Sequence, residues 1–295
     1  MFKHFILTRF NLKTDHIPGR DKNNQPVLTT EWLERRFFLF EKYCLPSMMN
    51  QSCKNFIWFV LFSNNTPERF LEKIRNYESK FPNLKPLFLE PGGLETIKKK
   101  FNEMLPDYLS NDDRYIITTR IDNDDAFHKD MILEVQSLFD KQEDVFISFI
   151  YGLQYDIQQK VLVRMHYENN HFISRIEKLS SGVDTVIAHD HTAIQMVSDV
   201  NYIRNRNKPM WLEIIHDGNI INSLNPSSTP FVFSTVLASF HLEERISLLN
   251  SSVALIRYIR IHLLLARAAL LKKLGIYDLL KRGQEQQNSD IKIND

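Results

Sequence analysis

Three carboxylates fall within four residues at Asp122-Asn123-Asp124-Asp125. So close together, they repel one another unless a cation or a set of hydrogen-bond donors stands beside them. Oxygen ligands on a short loop suit Mg²⁺ or Mn²⁺, which take carboxylates together with phosphate oxygens. The run follows Tyr115–Ile121, a stretch of Tyr, Ile and Thr with the composition of a buried strand. Carboxylates at the carboxyl end of such a strand lie where open α/β sheets bind ligands. Taken alone, the four residues also read as a solvated Asp/Asn turn.

The elements that must position this loop alternate. Phe5–Thr8 reads as a first strand, followed by Arg9 and a polar loop through Gln25. From Thr30, Leu33, Phe37, Phe40, Cys44 and Met48 recur at steps of three and four, which predicts a helix with one buried face. Pro46 kinks it or starts a second short helix. Phe56–Phe62 is uninterruptedly apolar, as expected of a strand covered on both faces of a parallel sheet. Thr66 as N-cap with Pro67 at the first helical position predicts a helix to about Tyr77. Pro86–Leu89 is the third strand, Leu94–Leu105 a helix and Tyr115–Ile121 the fourth strand. This alternation predicts an α/β fold with a doubly wound, mainly parallel sheet, and puts the carboxylate loop at its carboxyl edge. Met131–Phe139 then reads as a helix and Val145–Ile150 as a strand. Tyr151–Asp156, Val161–Tyr167 and His171–Ile176 read as short antiparallel strands, expected to extend the same sheet on an acceptor side.

Composition narrows the class. The chain has 295 residues, 43% hydrophobic and 25% charged, in the range of ordinary globular proteins. A net charge of +1 gives no global field for nucleic acid, so none is expected as partner. Eight glycines form neither a G-x-G-x-x-G nor a P-loop pattern, which argues against a standard dinucleotide fold. The two cysteines, Cys44 and Cys53, lie in apolar sequence and read as free thiols in a reducing compartment. The first residues lack the apolar core of a signal peptide, and no 18-residue apolar stretch is present, so a cytoplasmic location is expected.

Several segments together resemble a known group. Leu45-Pro46-Ser47-Met48-Met49-Asn50-Gln51-Ser52, then Asn55-Phe56 and an apolar strand, is similar to the helix–loop–strand opening of GT-A glycosyltransferases. Asp122-x-Asp124 stands where those enzymes carry a metal-binding DXD motif. More narrowly, Thr8–Asn11, Thr119–Asp125 and Trp211–Asn219 resemble a bacterial family labelled as rhamnosyltransferases, over roughly residues 3 to 222. The position after the second strand departs from the commoner acidic pair, offering Ser63-Asn64-Asn65. The resemblance implies a GT-A-like domain over 1–240; composition adds a basic amphipathic helical extension over 241–283 and a polar tail from 284 to 295 that is expected to be disordered. It also implies a nucleotide-sugar donor, a Mn²⁺ or Mg²⁺ cofactor, and a glycan or lipid-linked acceptor.

Such a transferase has to hold a diphosphate, neutralise the charge that develops as it leaves, and deprotonate an acceptor hydroxyl. On that basis Asp124 is expected as direct metal ligand. Asp122 would reach the ribose or a metal-bound water, and Asn123 the nucleotide-sugar. Asp125 would stand behind the ion or face the acceptor. The resemblance adds a late histidine as metal ligand; His216 matches best, with His189 and His191 as rivals beside Asp190. If the reaction inverts configuration, a carboxylate acts as base, with Asp190, then Glu213 and Glu177, as candidates. A retaining reaction needs none. Arg9 and Arg120, at strand ends, suit a diphosphate by paired donors, or form surface salt bridges. Trp211 would stack on an acceptor sugar or belong to the core.

Residues 248–283 carry seven basic side chains against the single acid Asp278, among leucine, isoleucine and alanine. A basic amphipathic helix of this kind lies peripherally on an anionic membrane, at the inner face, or packs on the domain or on a second copy in a homodimer. Two other functions remain open at this point. A nucleotidyl or phosphoryl transferase would use the same metal loop, and a carbohydrate-binding protein would use the fold without turnover.

Overall fold

The computed structural model describes residues 1–12, 19–168, 170–179, 182–187, 201–206, 208–219, 222–231 and 233–274. Its parallel half consists of β1 (Phe2–Arg9), β2 (Ile57–Ser63), β3 (Leu84–Leu89) and β4 (Tyr115–Arg120), in the spatial order β3-β2-β1-β4. The apolar run of β2 lies between two parallel neighbours and is buried on both faces because helices of the crossovers cover each side of the sheet. Ile6, Trp58, Val60 and Ile117 face one core and Phe5, Phe59, Leu61 and Ile116 the other, the period of two that a pleated strand imposes.

Helix α1 (Thr30–Leu39) starts on Thr29, whose hydroxyl accepts the Trp32 N–H at 3.2 Å. A π-helical turn at Phe40–Cys44 then leads into α2 (Leu45–Met49). Pro46 explains the turn: it has no N–H for the Lys42 carbonyl and its ring crowds that oxygen, so the coil widens and Leu45 N–H reaches back to Phe40. Phe37 on α1 stacks on Phe70 of α3 (Glu68–Lys80) at 4.8 Å. The expected start of α3 is corrected. Pro67 is itself the cap, in extended conformation, and the Thr66 hydroxyl donates to the Ser63 carbonyl at 2.6 Å rather than capping the helix. Helix α4 (Leu94–Met104) covers the opposite face through Ile97 and Phe101.

The second half departs from the expected single sheet. After β5 (Ala126–Phe127), α5 (Met131–Ser137) and β6 (Val145–Phe149), only Ile150 separates β6 from β7 (Tyr151–Asp156). Strand β8 (Val161–His166) pairs with β7, whereas β9 (Ile173–Lys178) inserts antiparallel between β4 and β6, and β10 (Asn201–Asn205) pairs with β6. Strands β11 (Trp211–Ile215) and β12 (Thr229–Phe231) complete a second sheet of order β12-β8-β7-β11-β5, beside the seven-stranded β10-β6-β9-β4-β1-β2-β3. The architecture is a mixed α/β fold in which the seven-stranded sheet is mainly parallel and the five-stranded sheet beside it mainly antiparallel, correcting the expectation of one mainly parallel sheet.

Trp211 joins the two sheets. Its indole N–H donates to the Phe149 carbonyl at 2.7 Å, and its ring stacks on Phe172 at 4.8 Å. Gly152 makes room for it, since a Cβ there would lie 2.1 Å from the indole.

Helix α6 (Leu248–Lys273) is capped by Ser247 and tied to the body near its start, where Ser251 is buried and the Asn250 amide donates to the Gln159 carbonyl at 2.7 Å. On the same helix Leu249, Ile256 and Leu263 are 66–75% exposed. Arg260 and Arg267 follow Ile256 and Leu263 by four residues each, so basic and apolar side chains share a face instead of opposing each other as expected. No described helix is long and apolar enough to cross a membrane. Cys44 and Cys53 are free thiols.

His4 on β1 is buried, with Nε2 2.8 Å from the Thr119 hydroxyl and Nδ1 3.2 Å from the Gln136 amide. Burial pushes its pKa down to about 3. The unfolded chain takes up this proton near pH 6.5 and the folded chain only near 3, so stability falls as pH drops through that window. The expected slope from His4 is up to about 1.4 kcal/mol per pH unit. Urea midpoints between pH 7 and 4 should fall less steeply for His4→Gln than for the wild type; parallel curves would refute the assignment.

Candidate active site

The carboxylate loop crosses from one sheet to the other. Asp122 follows β4 of the larger sheet and Asp125 precedes β5 of the smaller, so the acids lie in the seam. Two strand registers then deliver partners. Continuing the antiparallel β4–β9 pairing past Thr119↔Ser174 brings His171 opposite Asp122. Continuing β5–β11 past Ala126↔Leu212 brings Glu213 opposite Asp125. The Ile214 N–H donates to Asp125 Oδ1 at 2.8 Å.

Two groupings result. In the first, His171 Nε2 lies 3.4 Å from Asp125 Oδ2 and 3.8 Å from Asp122 Oδ2, and all three donor atoms fall within 4.8 Å of one another. In the second, Asp124 accepts both arms of the Arg36 guanidinium, Nη1 to Oδ2 at 2.7 Å and Nη2 to Oδ1 at 2.9 Å. His216 Nε2 lies 2.9 Å from the same Oδ2. The expected metal set of Asp122, Asp124 and His216 is therefore split: Asp122 converges with Asp125 and His171, and Asp124 and His216 with Arg36. Two carboxylates and an imidazole are a donor set that suits Mn²⁺, and the two carboxylates alone suit Mg²⁺ less completely.

The charges explain how the acids tolerate the seam. Burial pushes Asp122 up, but Arg120, His171 and Arg9 together hold it below the usual carboxylate range. Burial opposes ionisation of Asp124 as well, and Arg36 and His216 overcome it. Among the described residues no arginine or lysine pairs with Asp125: burial first, then Asp124, Glu213 and Asp122, push it well above the carboxylate range. Burial likewise raises Glu213, against His171 and the Gln154 amide that donates to it at 2.6 Å. The Asp125 and Glu213 side of the seam is thus the side where negative charge is least favoured.

The remaining expected residues are distributed unevenly. Arg120 reaches Asp122 Oδ1 at 3.4 Å from the end of β4, and Arg9 ends β1 beside it. Asn123 donates to the carbonyls of Arg9 and Phe10 at 2.8 and 3.1 Å, which pins the loop to β1, while its Oδ1 is buried without a partner. Trp211 is corrected from acceptor contact to core, for the reason given by its burial between the sheets. Asp125, also expected towards the acceptor, is buried against the β11 backbone. Glu177 accepts the N–H groups of Asp184 and Thr185 at 2.8 and 3.0 Å and pairs with Arg175, so it is a loop clamp. Asp190, His189 and His191 lie outside the described residues.

Sequence reading missed Arg36 and His171. The signal for Arg36 was present: it interrupts the apolar face Leu33–Phe37–Phe40 at helical spacing, where an arginine needs a buried acid. For His171 only the β4–β9 pairing supplies the signal. A cavity of about 360 Å³ lined by Trp32, Arg35, Arg36 and His216 opens on one side of the seam. Another of about 430 Å³, lined by Lys22, Asn225, Asn250 and Arg257, opens on the other side of His216.

Residues 3–227 match the model of a family described as "Putative rhamnosyl transferase". No curated protein matches the chain. Among solved structures, it is similar to S. aureus TarS 1-349 in complex with UDP, with 11% identity, 88% of this chain and 71% of that chain covered, and a TM-score of 0.41. For the same protein with UDP-GlcNAc the values are 12%, 87%, 71% and 0.39. For a "putative nucleotide-diphospho-sugar transferase" of Desulfovibrio desulfuricans G20 they are 8%, 71%, 82% and 0.36.

Asp124→Asn leaves the Arg36 guanidinium buried without its counter-charge. Loss of one partner of a buried pair costs about 3–5 kcal/mol. Asp122, with 32% of its side chain exposed, should lose much less stability on Asp122→Asn. Urea unfolding of the two variants side by side checks this; equal midpoints would show that the Arg36 pair does not bear on stability.

Proposed function

From the premise that this chain belongs to the rhamnosyl transferase family and is therefore a glycosyltransferase, we propose that it moves a sugar, rhamnose in particular, from a nucleotide donor to a hydroxyl of a cell-surface glycan or lipid-linked acceptor. The observation that carries this reading is the convergence of Asp122, Asp125 and His171 at the carboxyl end of β4, with arginines on both sides.

Asp122, Asp125 and His171 are proposed to hold Mn²⁺ or Mg²⁺, which when bound neutralises charge on the leaving diphosphate as a Lewis acid. Arg9 and Arg120 stand at neighbouring strand ends, where guanidinium forks suit phosphate oxygens. The unpartnered Asn123 Oδ1 offers an acceptor to a ribose or sugar hydroxyl. Glu213, raised by burial, is matched to take a proton from an acceptor hydroxyl if the reaction inverts configuration, and Asp190 remains the other candidate for that role. The 430 Å³ cavity has the amide-rich lining that suits an acceptor saccharide. Helix α6 walls this cavity through Asn250 and Arg257, so a membrane-bound helix would present the cavity to a lipid-linked acceptor.

Thermal unfolding with UDP, GDP, dTDP and CMP, each with and without Mn²⁺, tests the donor site. One nucleotide should stabilise the fold in a Mn²⁺-dependent way, by about 2.7 kcal/mol at a hundredfold excess over its Kd. Asp125→Asn should abolish the Mn²⁺-dependent part, and sugar transfer with it. No shift with any nucleotide would favour a glycan-binding protein on this fold.

Membrane contact has its own assay. Co-sedimentation with vesicles of anionic phosphatidylglycerol should exceed that with phosphatidylcholine and weaken with salt. Gln substitution of Arg260 and Arg267 together should reduce it several-fold; unaltered binding would remove α6 from the interface.

A further inference from the structure

Helix α1 brings a permanent positive charge to the carboxylate loop, and what it does there bears on where an ion can bind. Arg36 meets both oxygens of Asp124, at 2.7 and 2.9 Å, closer than the 3.4 Å from Arg120 to Asp122. Its side chain is only 13% exposed, and its guanidinium carbon lies 5.4 Å from the centroid of the Trp32 ring, one helical turn back. An arginine cannot shed its proton to admit another cation. Paired donors on a carboxylate also give the strongest and most directional contact of this kind.

His216 points the same way by an independent route. Its Nδ1 faces the Gly218 N–H at 3.1 Å, a donor that Nδ1 can meet only as an acceptor. The neutral ring therefore carries its proton on Nε2, the atom 2.9 Å from Asp124 Oδ2, and donates there. A metal-bound histidine has the reverse arrangement, with its second nitrogen giving its proton to a carbonyl or carboxylate. Among the described residues, neither Asp125 oxygen is held by an arginine: Oδ1 takes the Ile214 N–H and Oδ2 faces His171.

We propose that Arg36 is the resident cation of the Asp124–His216 pair, and that this pair takes up a divalent ion only when Arg36 is removed. Arg36 thereby acts as a positioning residue: it holds Asp124 and His216 in place and restricts an incoming ion to the side of Asp122, Asp125 and His171. The inference rests on the proposed ion site for its setting, and on sugar transfer not at all.

The test counts Mn²⁺ ions bound by the full chain, with no nucleotide present, by electron paramagnetic resonance of the free ion during titration. Arg36→Gln should bind one more Mn²⁺ than the wild type, and Arg36→Lys, which keeps the charge, should bind the same number as the wild type. In the wild-type background His216→Gln should leave the count unaltered. No gain in folded Arg36→Gln, or loss of an ion in His216→Gln, would overturn the proposal. If Arg36→Gln does not fold, the His216→Gln count decides alone. A wild type that binds no Mn²⁺ while Arg36→Gln binds one would refute the ion site at Asp122, Asp125 and His171 and leave the role of Arg36 standing.

Discussion

Carboxylates packed into the seam between two sheets are the constraint on which this structure depends. Asp122, Asp124, Asp125 and Glu213 are brought close by strand pairing, and a low-dielectric seam magnifies their repulsion. The chain meets it with partners from separate elements: the guanidiniums of Arg36 from α1 and Arg120 from β4, and the imidazoles of His171 before β9 and His216 after β11. Each such pairing fixes the distance between elements far apart in sequence. The site is therefore part of what holds the two sheets in register.

The apolar side of the same seam works by shape. Trp211 lies between the sheets, hydrogen-bonded to Phe149 and stacked on Phe172, and Gly152 is the residue small enough to lie beneath it. Phe127 packs edge-on against Phe172, one strand residue beyond Ala126 and two beyond Asp125. Packing of this density leaves the carboxylate loop little freedom, which is what a site needs if its donors are to stay aligned.

Much of the parallel half was legible in the sequence because its signals are local. The uniform apolar run before Ser63 can only be a strand covered on both faces, and the three-and-four spacing from Leu33 to Met48 can only be a buried helix face. Local signals failed where a neighbour outweighed them. Thr66 has the residue type of a cap, but the nearby Ser63 carbonyl takes its hydroxyl. Trp211 precedes an apolar run and was open to either role; the space above Gly152 decided it.

The sequence by itself determined the order of strands and helices from β1 to β9 apart from the short β5, the strand that ends in acids, and the sheet edge where those acids emerge. These follow from periodicity and residue type, which act over a few neighbours. The tertiary structure alone decided which acid meets which partner. Asp122 and Asp125 face His171 because β9 inserts antiparallel beside β4, and Asp124 faces His216 after β11 of the second sheet and Arg36 from α1, so residues 46 to 92 positions apart meet. Coulomb interactions in a buried seam act through space and carry no trace in spacing along the chain, so the division of the carboxylates into two groups could be read only from the fold.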